Sequence, residues 1–270
     1  MSVTLRNEQS QPANNELFLR RLRVDHEPVS LLGRYFLQVA AAADAHNISL
    51  SVETVEDLVD INGRNQDEWR RVLPLFDPRL NDLDENNTFV LVARNQDGLP
   101  VATGACRLFE WQDTNYTEEL ESLRIFSEEA RAGEQEYARC SVSAKRSNRV
   151  TGRVVFAGAA WCHPSVRGQS LSSLIPRTSK ALALAKWDFD HMIGLMLEDV
   201  LARGFAKRFG YEEPERGAVL VDKAGIEKHF AVLSMSRGAV VNHVDEYLEH
   251  FPIIRLHIQL RRRNWRILPV

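Results

Sequence analysis

The chain has 270 residues, 44% of them hydrophobic and 26% charged, and 34 Lys plus Arg against 37 Asp plus Glu leave a formal charge of −3. That apolar fraction can fill a core, which excludes global disorder, and the near-neutral balance excludes a surface built as a whole to neutralise nucleic-acid phosphates. No apolar run approaches the ~20 residues of a membrane span, and the widely spaced Cys106, Cys140 and Cys162 form neither a zinc pattern nor a disulfide framework.

Residues 1–16 are polar, aperiodic and without the apolar centre of a secretory signal, so they are expected to form a flexible tail on a cytoplasmic protein. From Leu17 to about Leu75 the pattern is helical. Leu31, Leu32, Tyr35, Phe36, Val39 and Ala43 make one apolar stripe. A second helix is predicted from about Val52 to Ile61 and a third around Trp69, Val72 and Leu73, before Pro74 and Pro78 break the periodicity. The run FVLVARNQDGLPVATGACRLFEW then predicts a hairpin, with strands over about 88–94 and 99–111 and a turn at Asp97-Gly98. A charged helix is expected from Thr117 to Ala130. The basic stretch from Ser141 to Thr151, with Lys145, Arg146 and Arg149, reads as a loop or an irregular edge strand, solvated or facing an anion.

Residues 153–162, RVVFAGAAWC, are apolar on both faces, the mark of a strand buried on both sides. A helix follows with Leu171, Leu174, Ile175, Leu182 and Ala185 on its stripe. A second buried strand spans about 189–197, and a helix from Asp199 to Phe209 stops at Gly210. Strands are predicted near 217–222, 228–237 and 253–260. Helix and strand alternate without an internal linker, so one α/β domain with a mixed sheet is expected rather than two domains.

The stretch Cys162 to Ser173, CHPSVRGQSLSS, joins a buried strand to an amphipathic helix. Such a turn presents backbone N–H groups at a helix amino terminus, where phosphate or pyrophosphate binds. Gly168 permits close approach, Arg167 adds a cation, and Ser170, Ser172 and Ser173 can cap the helix or donate to phosphate oxygens. A plain strand-to-helix turn with serine caps has the same spacing.

Here the sequence resembles the GNAT acyltransferase superfamily. Its acyl-CoA loop, x-P-x-x-R-G-x-G-x-G, is matched by His163 to Ser172, and its later landmark, a helix ending like F-Y-x-K-x-G-F, by Phe205 to Tyr211. The resemblance covers about residues 88–222. It implies a single domain over 17–270, with a helical part over 17–80, an acyl-CoA core over 88–222 and terminal strands over 223–270. It also implies a mostly antiparallel mixed sheet, flanked by helices and splayed at two parallel central strands. The implied activity is transfer of an acetyl or longer acyl group from acyl-CoA to a small-molecule or peptide amine. The chain departs from the pattern at three places. Ser170 and Ser172 stand in place of glycines, Pro176 falls early in the helix, and Ala206 stands where a tyrosine often protonates the leaving thiolate.

On the resemblance, Trp161, Cys162, Arg167, Gly168, Gln169, Ser170, Leu171, Ser172 and Ser173 would bind the donor, and Glu198 and His163 are the nearest groups for proton transfer. Glu198 before Asp199 would equally suit a helix dipole, His163 a packed strand end, and Cys162 an inert core thiol. Glu110 and Trp111 could line an acceptor cleft or simply end a strand. Two other readings keep the architecture. One is an N-acyl amino acid or acyl-homoserine-lactone type synthase, which takes its acyl chain from an acyl carrier protein. The basic tail with Arg255, Arg261, Arg262, Arg263 and Arg266 reads as a solvated strand edge or as a docking patch that would suit that partner. The other is a non-catalytic binding module. No metal, membrane or nucleic-acid partner is expected.

Overall fold

The computed structural model describes residues 15–134, 136–167 and 171–249. Eight strands form one sheet. They are β1 (Ser49–Glu53), β2 (Thr88–Arg94), β3 (Pro100–Trp111), β4 (Tyr137–Val142), β5 (Gly152–Cys162), β6 (His191–Leu197), β7 (Glu215–Asp222) and β8 (Glu227–Ser236). Their spatial order is β1-β2-β3-β5-β6-β8-β7-β4. Every pairing is antiparallel except β5 with β6, at the centre. The helices are α1 (Glu16–Arg21), α2 (Val29–Ala45), α3 (Val55–Arg64), α4 (Tyr116–Glu121), α5 (Leu171–Lys186), α6 (Glu198–Ala202), α7 (Phe205–Arg208) and α8 (Arg237–Glu249). The α/β class, the single mixed sheet and the central parallel pair are as expected.

Each face of the sheet has its own core. On one face α5 packs on β3 and β5, with α2 and α8 laid over it. Tyr35, Phe36, Leu91, Cys106, Val155, Leu184 and Met192 are buried there. The other face is covered by α3, α4 and the connections around them, with Leu58, Phe76, Val92, Tyr116, Phe126, Phe156 and Ile193 inside. Alternate residues of β5 thus feed opposite cores, which accounts for its two-sided apolar sequence.

Several expectations need correction. The helix predicted from Val52 starts after a strand, because Ser49–Glu53 pairs with β2 and Thr54 then caps α3 through a box with Asp57. Around Trp69 there is no helix. Asn62 holds that segment in turns, donating to the Arg70 carbonyl at 3.1 Å and accepting from Val72 N at 3.2 Å, and a 3-10 turn follows at Pro74–Phe76. The charged helix stops at Glu121, since Leu123 adopts φ 64°. The basic stretch begins within the edge strand β4, paired with β7, and continues as a loop with a 3-10 turn at Ser147–Arg149. The helix expected over 199–209 is two short helices broken at Gly204, which adopts φ 77°. The region expected to hold only terminal strands also contains α8. Asn15, expected in the tail, is buried and bonded to Asp44 and Ile48. The strand predicted near 253–260 and the basic tail lie outside the described residues.

Candidate active site

The parallel strands β5 and β6 pair at three positions only, from Val154 with His191 to Phe156 with Ile193. Beyond them the strands part. Divergence is aided by a bulge in β5, where Thr103 faces Trp161 but Ala105 faces Gly158. The extra residue leaves the ladder, and Ala159 there adopts φ 50° while its carbonyl accepts from Thr103 Oγ1 at 2.8 Å. A cleft of about 1310 Å³ opens at this point, lined by residues 157–162 of β5 and 195–200 from β6 into α6. A second cleft, of about 1080 Å³, lies beside α1, β1 and β2; none of the residues singled out from the sequence for chemistry lines it.

Glu198 is the first residue of α6 and lines the cleft from the β6 side. Its carboxylate is 34% exposed and lies 3.4 Å from Arg216 Nη1. Trp161 and Cys162 line the opposite wall. The Trp161 ring stacks on Trp69 at 5.2 Å between centroids, and its buried Nε1 has no hydrogen-bond partner. Burial pushes the Cys162 thiol up, with Arg167 pulling partly back, so this sulfur is not a ready thiolate. Arg167, 59% exposed, lies 3.5 Å from Glu68. Arg70 reaches Asp199 at the same separation on the α6 side. Residues 68–70 thus form a strap touching both walls.

His163 stands apart from the cleft lining. Its Nδ1 lies 2.7 Å from Ser165 Oγ and accepts from Ser165 N, capping the 3-10 turn Pro164–Val166. Gly168, Gln169 and Ser170 lie outside the described residues. Leu171 opens α5, and Ser172 and Pro176 line the cleft. Ser173 belongs to the first turn of α5. Glu110 is on β3, facing Arg153 at 3.6 Å, and Trp111 packs against Tyr116 in the core. Ala206 is buried beside Tyr211 and Leu233.

Two cleft residues escaped sequence reasoning. Lys180 of α5 is 1% exposed. Its Nζ lies 3.5 Å from the centroid of the Tyr211 ring and 3.2 Å from Met235 Sδ. Burial holds its pKa well below the usual lysine range. Tyr211 is 4% exposed, and its buried hydroxyl has no partner. That hydroxyl sits beside Gly194, the first residue of β6 past the parallel pairing, where a Cβ would meet it at 3.5 Å and the Ala157 carbonyl at 3.0 Å.

The mixed, mostly antiparallel sheet, its parallel central pair parting after three residues and the helix that follows β5 are the arrangement implied by the resemblance. Solved structures similar to this chain include NAA60 of Arabidopsis thaliana in complex with acetyl-CoA. That likeness has 10% identity, covers 71% of this chain and 99% of that one, and has a TM-score of 0.45. A GNAT-family acetyltransferase from Streptococcus pneumoniae matches at 10% identity over 70% and 99% of the two chains, with a TM-score of 0.40. Aminoglycoside acetyltransferase AAC(6')-Ib, in complex with coenzyme A and kanamycin, matches at 12% identity over 71% and 96%, with a TM-score of 0.38. No family model matches the sequence, and no curated protein matches it significantly.

Proposed function

We propose that the protein transfers an acyl group from an acyl-CoA to an amine, with the thioester held where β5 and β6 part. The observation that carries this reading is the cleft at the divergence, which has an ionisable carboxylate, Glu198, on one wall and the bulged backbone of β5 on the other. The donor would enter past Arg167 and the start of α5, where helix N–H groups suit a pyrophosphate.

In the reaction the amine attacks the thioester carbonyl, the C–N bond forms and the C–S bond breaks. The β5 bulge supplies backbone N–H groups outside the ladder to polarise the carbonyl. Glu198 takes the proton from the incoming ammonium, through a water. As the C–S bond breaks the nitrogen gives its second proton to solvent and the departing thiolate takes one from solvent, since an ordinary thiol has a pKa of about 8.5, and Ala206 supplies none.

Glu198→Gln keeps the shape of the side chain and removes its charge. Turnover should fall by about a hundredfold or more, the scale of general-base catalysis, with coenzyme A affinity retained by calorimetry. Fold stability should change little, since the exposed pair with Arg216 is worth ~0–1 kcal/mol. Release of free thiol from acetyl- and longer acyl-CoA over a panel of primary amines measures turnover. Absence of coenzyme A binding would reject the reading.

A further inference from the structure

Lys180 is the anomaly of the molecule. Its amine lies inside the protein with a thioether sulfur and an aromatic ring for company, and among the described residues no carboxylate pairs with it. A thioether is a weak acceptor, and a cation–π contact returns less than an unpaired buried ammonium costs. Next to it the Tyr211 hydroxyl is also without a partner. The two groups line the same cleft, next to Gly194, whose missing side chain leaves room there.

Both groups are hydrogen-bond donors, and what they lack is an acceptor with negative charge. We propose that Lys180 and Tyr211 receive a carboxylate at the far end of the donor's acyl group, so that the donor is the thioester of a short dicarboxylic acid, of malonyl or succinyl type. This rests on the acyl-CoA reading above. An ionised carboxylate accepts from the ammonium and the phenol together, through charge-assisted bonds. A methyl-terminated acyl group of equal length would leave both donors unsatisfied. In the free protein burial holds the pKa of Lys180 well below the usual lysine range. A carboxylate placed beside it would raise that pKa and hold the ammonium form. The other groups acting electrostatically with Lys180 are Cys106, Arg177 and His243, and none of them offers a carboxylate. The basic Arg177 adds to the positive potential awaiting an anion.

The test compares succinyl-CoA with butyryl-CoA, which differs from it by a terminal methyl group in place of the carboxylate, by calorimetry on the full chain. Coenzyme A itself is the control. Succinyl-CoA should bind at least about tenfold tighter than butyryl-CoA. Lys180→Met, which fills the site with an apolar chain of similar volume, should bring the two affinities within about threefold. Tyr211→Phe should narrow the gap by part of that amount. Equal affinities in the unmodified protein overturn the proposal, and this comparison stands even where a variant does not fold. A preference that survives Lys180→Met overturns the assignment to Lys180. If coenzyme A and both thioesters fail to bind, the acyl-CoA reading falls and this one with it. Binding without discrimination removes this one alone.

Discussion

Arg167 is the described cation nearest the turn that precedes α5, and its only ion pair among the described residues is with the exposed Glu68. A surface pair of this kind contributes ~0–1 kcal/mol to stability, so the guanidinium is available to a phosphate at little cost. Arg167→Glu should weaken coenzyme A binding by about tenfold or more, the equivalent of one lost charge-assisted contact, while thermal unfolding is nearly unchanged. Calorimetry and a melting curve on the same sample check both parts. Arg167 and Glu198 are legible in the sequence because each falls beside the end of a two-sided apolar strand. Lys180 is not, since SKALALAK reads as the polar side of an amphipathic helix. The sheet below α5, with α2 and α8 above it, buries nearly the whole circumference from Thr178 to Ala185. Tyr211 closes the Phe205–Tyr211 landmark, but nothing in that pattern marks its hydroxyl as a group lining the cleft.

At the level of elements, the join between α7 and α8 depends on one glycine. Gly210 ends α7 with φ 81°, and a Cβ there would lie 2.0 Å from His243 Nε2 on α8. Positive φ costs a residue with a side chain about 1–2 kcal/mol, and here the His243 ring must also move. Gly210→Ala should therefore destabilise the protein by at least about 2 kcal/mol, measured by urea unfolding, with greater hydrogen exchange in α8. The stop at Gly210 was readable from its position after an apolar helical run. The break at Gly204 was not, because one glycine inside a helical pattern is often tolerated. β1 was missed for a similar reason. Its five residues continue into the capping box of α3, and a short alternation beside a helix start is absorbed into the helical pattern. β4, YARCSV, alternates weakly and carries charge, as edge strands do, so the sequence leaves a loop and an irregular edge strand both open where the basic stretch begins.

Across the whole molecule, the alternation of apolar strands and amphipathic helices indicates one mixed sheet, and its parallel centre is what the resemblance implies. The position of β4 was beyond local reading, since its partner β7 is distant in sequence. Packing α8 against α5 also creates a pH response. His243 is half-buried with Nε2 unpartnered, and burial, then the charges of Lys180 and Arg177, hold its pKa down to about 4. An unfolded histidine titrates near 6.5, so the unfolded chain takes the proton first as pH falls. The stability contributed by neutral His243 is present above about pH 6.5 and is lost progressively as pH falls towards 4. His243→Leu should flatten that decline, narrowing the gap between melting temperatures at neutral and mildly acidic pH by roughly a few degrees.

The placement of β4 at the far edge also sets an order of events at the ribosome. β4 is made early, yet the strand it pairs with begins only at Glu215 and is itself held by β8. With synthesis at about 5–20 residues per second, the nascent chain carries β4 unpaired for several seconds, as well as a β5 whose neighbour β6 has not emerged. A half-made chain therefore exposes open strand edges, which is where intermolecular pairing begins. Output of intact protein should respond to chaperone supply and to slow codons between β4 and β7 more than the stability of the finished fold would suggest.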